Sequence, residues 1–123
     1  MDVDRTGKVN LVAALALFDE HWKPRRVATV NDYEVKLAKV QGEFVRHAHD
    51  ETDELFLVVH GRLTIRMDAG DVTLEPGELY VVPRGVPHQP YAEAETHIVL
   101  LEPAGVVNTG DAGGEFTAAV EAL

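Results

Sequence analysis

The alternation of apolar and polar positions along the chain changes its period once. Over the first quarter it is helical: Leu11, Leu15, Phe18 and Trp22 recur at intervals that stack on one face, Asn10 is placed to cap the first turn, and Pro24 to stop the last. A short buried α-helix is therefore expected. Its run "VNLVAALALF" stands behind Arg5 and Lys8, but Asp2 and Asp4 dilute that leader and ten residues cannot span a bilayer. A helix is the better reading than a signal peptide.

From Val27 the period drops to two, the signature of strands. Residues 27–40 place Tyr33, Val35 and Leu37 on one face and Asp32, Glu34 and Lys36 on the other, which predicts a strand half covered. "ELFLVV" at 54–59 is apolar throughout and fits a strand covered on both faces. "LTIRM" (63–67), the turn "DAGD" and "VTL" (72–74) predict a hairpin, and Pro76-Gly77 suits the centre of a type II turn. "ELYVV" (78–82) and "HIVLL" (97–101) complete the set. Short strands separated by Gly and Pro turns, with no helical crossovers, predict an all-β sandwich or barrel and argue against a parallel α/β sheet.

Length and composition add limits. At 123 residues the chain is one domain, divided here into an N-terminal helical extension (1–26), a barrel (27–102) and a C-terminal tail (103–123). That tail loses all period at its glycines and has three fates open to it: wrapping the domain, reaching a partner chain, or fraying. Eleven basic residues against 21 acidic ones give a net charge of −10, so nucleic acid and anionic membranes are not expected partners. With no cysteine there is no disulfide, thiolate or iron–sulfur cluster, and any metal site must use histidine and oxygen. A cytoplasmic location is the default expectation.

The chemistry concentrates in "RHAHDETDELFLVVHG" (46–61). In an extended chain His47 and His49 point to the same face about 7 Å apart, from a rise of ~3.3 Å per residue, and can converge on one ion with bonds of about 2.0–2.1 Å. The polar turn "DETD" reverses the chain and lets Glu54 supply an oxygen to the same point. His88 follows a rigid turn shaped by Pro83, Gly85 and Pro87, the kind of backbone that a preorganised ligand needs. Three imidazoles and a carboxylate suit one divalent transition ion per chain (Fe, Mn, Co, Ni, Cu or Zn), with one or two positions left open. Asp50, Glu51 and Asp53 read as a solvated turn, with Asp53 the rival to Glu54. His21 and His60 read as packing or surface groups. Phe56, Gln89, Tyr91 and His97 are the candidate substrate contacts.

These residues resemble the two motifs of the cupin family. The first is carried by Gly42, His47, His49, Glu54 and Gly61, the second by Gly77, Pro83, Gly85 and His88, with fifteen residues between Gly61 and Gly77. Two positions depart from the pattern: Gly42 has four residues before His47 where the family has five, and Ala92 stands for the usual asparagine. "HDETDELFLVVHG", "VVPRGVPHQP" and the later "NTG" (108–110) look like the small cupins labelled mannose-6-phosphate isomerase-like, a likeness that fixes no substrate. The resemblance implies a jelly-roll barrel, or double-stranded β-helix, with a short N-terminal α-helix outside it. It implies that His47, His49, Glu54 and His88 bind the metal, for isomerase- or lyase-like enolisation of a small oxygenated metabolite such as a sugar derivative or keto acid. Glu54 is then the candidate base. An Fe or Cu dioxygenase and a non-catalytic ligand-binding protein are the alternatives. Exposed strand edges and the apolar 54–59 run also point to a homodimer.

Overall fold

The computed structural model describes residues 7–123; Met1 to Thr6 of the N-terminal extension lie outside the described residues. Helix α1 (Leu11–Leu15) starts where expected, with the Asn10 side chain accepting from Ala13 N at 3.0 Å. It ends early. Five residues make little more than one turn, too few to sustain a helix without tertiary support, and the backbone beyond finds other partners. Trp22 takes a left-handed φ of 62°, its amide donates to Lys39 O at 2.9 Å, and its indole N–H donates to Gln41 O at 3.0 Å. Leu15 and Phe18 share one apolar cluster while Trp22 packs against another, so the expected common face stops at Phe18.

Eight strands follow: β1 (Arg25–Val30), β2 (Tyr33–Glu43), β3 (Glu54–His60), β4 (Leu63–Arg66), β5 (Val72–Leu74), β6 (Leu79–Val82), β7 (Gln89–Pro103) and β8 (Glu121–Ala122). The strand expected over 27–40 is a hairpin instead. It reverses at Asn31, whose φ of 53° asparagine tolerates better than most side chains. The β4–β5 hairpin forms as expected, in the register Leu63↔Leu74 and Ile65↔Val72. So does the turn at Pro76-Gly77, closed by Glu78 N on Glu75 O at 2.9 Å.

Strand β7 is the spine. It is 15 residues long and pairs with β2 from Tyr33↔Pro103 to Glu43↔Tyr91. Its other edge takes β4 at one end (Ile65↔Pro90) and β3 at the other (Phe56↔Leu100, Val58↔Ile98), and β6 adds to β3. This curls the strands into a jelly-roll barrel around Val40, Phe56, Val58, Leu63, Ile65 and Ile98. Outside it, α1 covers Val27, Leu37 and Val99.

Because α1 covers the outside of β2, that strand is buried on both faces, and the expected half-covered pattern fails. Tyr33 is 40% exposed, whereas Glu34 and Lys36 are 6% and 1% exposed, on the inward phase of Ala38 and Val40. Charges there must be paired. Lys36 Nζ donates to Glu102 Oε1 at 2.8 Å and lies 3.8 Å from Glu34 Oε1, and Arg26 Nη1 donates to Glu34 Oε2 at 2.9 Å. Removing one partner strands the other in the interior, at a cost of about 3 kcal/mol or more. Lys36→Met is therefore expected to lower the urea-unfolding free energy by about that amount, and the double variant Lys36→Met/Glu102→Met to recover most of it.

Candidate metal centre

Two stretches of chain build the site. Residues 44–49 run antiparallel to 85–90: His47 N donates to His88 O at 3.0 Å, His88 N to His47 O at 2.8 Å, Gly85 N to His49 O at 2.8 Å and Phe44 N to Pro90 O at 2.9 Å. The second stretch is bent by a turn in which Val86 N reaches Pro83 O at 3.2 Å and Gly85 takes a φ of 77°, a conformation that favours glycine. Glu54 opens β3 with its side chain on the inward phase of Phe56.

The result is one cluster. His47, His49, Glu54 and His88 are all buried, and each offers a donor atom within 4.8 Å of the others'. His49 Nε2 and His88 Nε2 stand 3.3 Å and 3.4 Å from Glu54 Oε1, yet none of these three buried atoms has a hydrogen-bond partner. Such orphaned polar atoms are costly unless something unites them, and a metal ion does so. His47 Nδ1 and His88 Nδ1 each lie 2.9 Å from a backbone carbonyl, Val45 O and Val86 O. Each carbonyl fixes the Nδ1–H tautomer and leaves Nε2 free to ligate an ion.

The electrostatics prepare the same donors. Burial, with the neighbouring His88, depresses the His47 pKa to about 4, so that ring is neutral near pH 7. Burial alone would raise Glu54, but the His49 and His88 imidazoles outweigh it and hold the carboxyl at about 2. For His49, burial opposes the charged form and Glu54 more than compensates, for a net rise. An ionised carboxylate among imidazoles is the protonation state that a cation requires. The chemistry and placement of this buried His/Glu group suit one metal ion.

A cavity of about 40 Å³ adjoins the cluster, bounded by His47, Glu54, Phe44, Phe56, Glu102 and Asn108 among others. That exceeds the roughly 10–15 Å³ needed by one water. Of the expected substrate contacts only Phe56 lies on this wall. Gln89 and Tyr91 occupy the outward phase of β7, because Pro90 and Ala92 take the inward one. Gln89 bonds to Phe44 O at 3.0 Å, and Arg66 covers the Tyr91 ring at 4.3 Å. His97 also faces out, beside His60 and α1. Asp53 is no rival ligand: it is exposed and accepts from Arg84 N and Nε at 2.9 Å and 3.1 Å, joining the two halves of the site.

The residue that sequence reasoning missed is Glu102. It lines the cavity and is 1% exposed, with one oxygen held by Lys36 and the other, Oε2, buried without a partner. Burial and the nearby Glu54 charge raise its pKa to about 7, against the pull of Lys36. A signal existed, since Ile98, Leu100 and Glu102 continue one alternating phase.

A curled antiparallel β-barrel with a buried three-histidine, one-glutamate cluster at the end of a small cavity defines a metal-binding jelly-roll protein. Residues 33–103 match the cupin domain family, and the chain belongs to that family. It is 32% identical over 94 residues to the uncharacterised protein YdbB of Bacillus subtilis (strain 168), covering 76% of this chain and 83% of that protein. A solved cupin-2 domain containing protein from Shewanella frigidimarina is 46% identical, with a TM-score of 0.79 over 80% of this chain and 97% of its own. Hydroquinone 1,2-dioxygenase PnpCD shares the fold at 17% identity, with a TM-score of 0.68 over 85% of this chain and 77% of its own.

Elemental analysis of the untagged protein is expected to find close to one transition metal per chain, and His47→Ala and His88→Ala to lose it. Adding that metal at about 100 times its dissociation constant should stabilise the wild type by about 2.7 kcal/mol in thermal unfolding and leave both variants unchanged.

Proposed function

We propose that this cupin is a metal-dependent enzyme acting on a small oxygenated metabolite, with His47, His49, Glu54 and His88 holding one divalent transition ion. The observation that carries the reading is the convergence of three unpartnered donor atoms, from His49, Glu54 and His88, beside a cavity lined by Glu102, whose Oε2 is also unpartnered. When bound there, a divalent ion supplies Lewis-acid polarisation of substrate oxygens. The chain supplies the rest. Phe44, Phe56, Ile98 and Leu100 pack against an apolar body and exclude water, and Glu102 Oε2 is placed to hold or pass a proton at the substrate. Glu54, the base expected from sequence, keeps the ligand role in this assignment.

No Lys or Arg among the described residues lines the cavity, which favours a keto acid or enol over a phosphorylated sugar. The apolar wall also suits a small ring-bearing substrate, so a dioxygenase is the second reading, and a non-catalytic binding protein the third. We further propose a cytoplasmic homodimer. Leu79 and Val81 are 56% and 41% exposed on β6, which pairs only with β3 among the described strands. Among the described residues no helix is long and apolar enough to cross a membrane.

Protein loaded separately with each candidate ion, assayed on hydroxy acids, keto acids and enols with and without oxygen, tests the reading. Turnover is expected from at least one pair of ion and substrate. Oxygen consumption would select the dioxygenase, and no turnover across the panel, with an unaltered small molecule co-purifying, the binding protein. Glu102→Gln is expected to lower kcat about 10²- to 10⁴-fold at unchanged metal content.

A further inference from the structure

The C-terminal tail does something specific at the metal centre. In an extended strand successive backbone amides face opposite edges. The peptide groups of His47 and His49 face the 85–90 stretch, where His47 N donates to His88 O, His47 O accepts from His88 N and His49 O accepts from Gly85 N. Ala48, between the two histidines, faces the other way and needs a partner there. Asp111 provides it twice: its Oδ1 accepts from Ala48 N at 2.9 Å, and its own amide donates to Ala48 O at 3.1 Å.

The tail is shaped to deliver that carboxylate. Gly110 N donates to Val107 O at 2.9 Å and Ala112 N to Thr109 O at 3.0 Å, two overlapping turns that wind residues 107–112 tightly. Gly110 sits at a φ of 53° against the strand, where an added Cβ would lie 2.3 Å from Ala48 O and 3.0 Å from His47 Cδ2. Those are backbone and ligand-ring atoms with nowhere to go. Thr109 is fully buried, and its hydroxyl lies 2.6 Å from that of Thr117. Asn108 donates to Phe116 O at 2.8 Å and accepts from Ala118 N at 3.0 Å, closing the strap on itself.

We propose that this strap is a positioning element of the metal centre, and that Asp111, by gripping Ala48 from the edge opposite His88, sets the direction from which His47 and His49 approach the ion. The proposal rests on the metal-centre reading above. With the latch in place the His-x-His strand is held on both edges and neither imidazole can rotate away through its backbone. Without it one edge is free, and the two histidines keep their identity but lose their common aim. Groups that orient metal ligands typically contribute 10- to 100-fold in affinity.

The test uses Co(II), whose visible absorption reports ligand geometry, titrated into metal-free full-length protein. Asp111→Ala is expected to weaken Co(II) binding at least tenfold and to change the visible spectrum, while Asp111→Asn, which keeps Oδ1 as an acceptor, restores both. A purely stabilising strap would lower the melting temperature of the metal-free protein and leave affinity and spectrum alone, and that result overturns the proposal. Should Asp111→Ala not fold, Asp111→Glu displaces the carboxylate by one methylene and is expected to shift the spectrum; an unchanged spectrum overturns the proposal equally. A wild type that binds no Co(II) overturns the metal-centre reading and the strap proposal with it. A wild type that binds, matched by an Asp111→Ala that binds identically, removes the strap proposal alone.

Discussion

The two hydrogen bonds between the backbones of His47 and His88 are the constraint from which the site's geometry follows. They join residues far apart in sequence, so the chain-closure entropy must be met by something already ordered nearby. That something is β7. It begins at Gln89, directly after His88, and is already paired with β2 down to Glu43↔Tyr91, so the bridge continues the longest pairing in the barrel instead of closing an isolated loop. The ligand-bearing strand inherits its register from that pairing. Asp53 on Arg84 and Asp111 on Ala48 then fix what the bridge leaves free, one at each flank.

A barrel interior filled only with Leu, Ile and Val would be simpler to stabilise. Here the inward positions of β2, β3 and β7 change from apolar to ionisable toward one end of the barrel: Glu34 and Lys36 precede Ala38, Glu54 precedes Phe56, and Glu102, level with Glu34, follows Leu100. Buried ion pairs of this kind often contribute little net stability over apolar replacements. Local rules are broken in natural proteins mainly where function needs it. Lys36 compensates Glu102 without occupying both its oxygens, and leaves Oε2 unpartnered on a residue that lines the cavity.

Sequence made the buried His/Glu group legible because its signal is chemical and local. Two histidines on one strand face, a glutamate after a reversing turn and a histidine behind a Pro-Gly turn need no knowledge of the rest of the fold. The parity of β2 was illegible for the opposite reason. Glu34 and Lys36 read as solvent-facing, because nothing in residues 33–40 reveals that α1 covers the Leu37 face and leaves the charges inside. Gln89, Tyr91 and His97 all lie off the cavity wall together, since one phase on β7 decides all three. The tail carried a family likeness at 108–110 but no role, because the partner of Asp111 lies 63 residues away and is a backbone amide, which leaves no mark on composition.

Charge accounting narrows the chemistry further. Lys36 and Arg26 offset Glu102 and Glu34 when all four are ionised, so the site's own balance rests on the ligand group. On the proposed function, a divalent ion held by neutral imidazoles and the single Glu54 carboxylate would retain one positive charge, in surroundings too dry to screen it well. A singly charged substrate oxygen would balance that charge; a phosphate dianion would exceed it and would meet no Lys or Arg among the described residues that line the cavity. The overall charge of −10 adds a long-range repulsion that discriminates most strongly against multiply charged anions. On the proposed function, interior and surface would therefore select in the same direction, toward a small ligand of low charge.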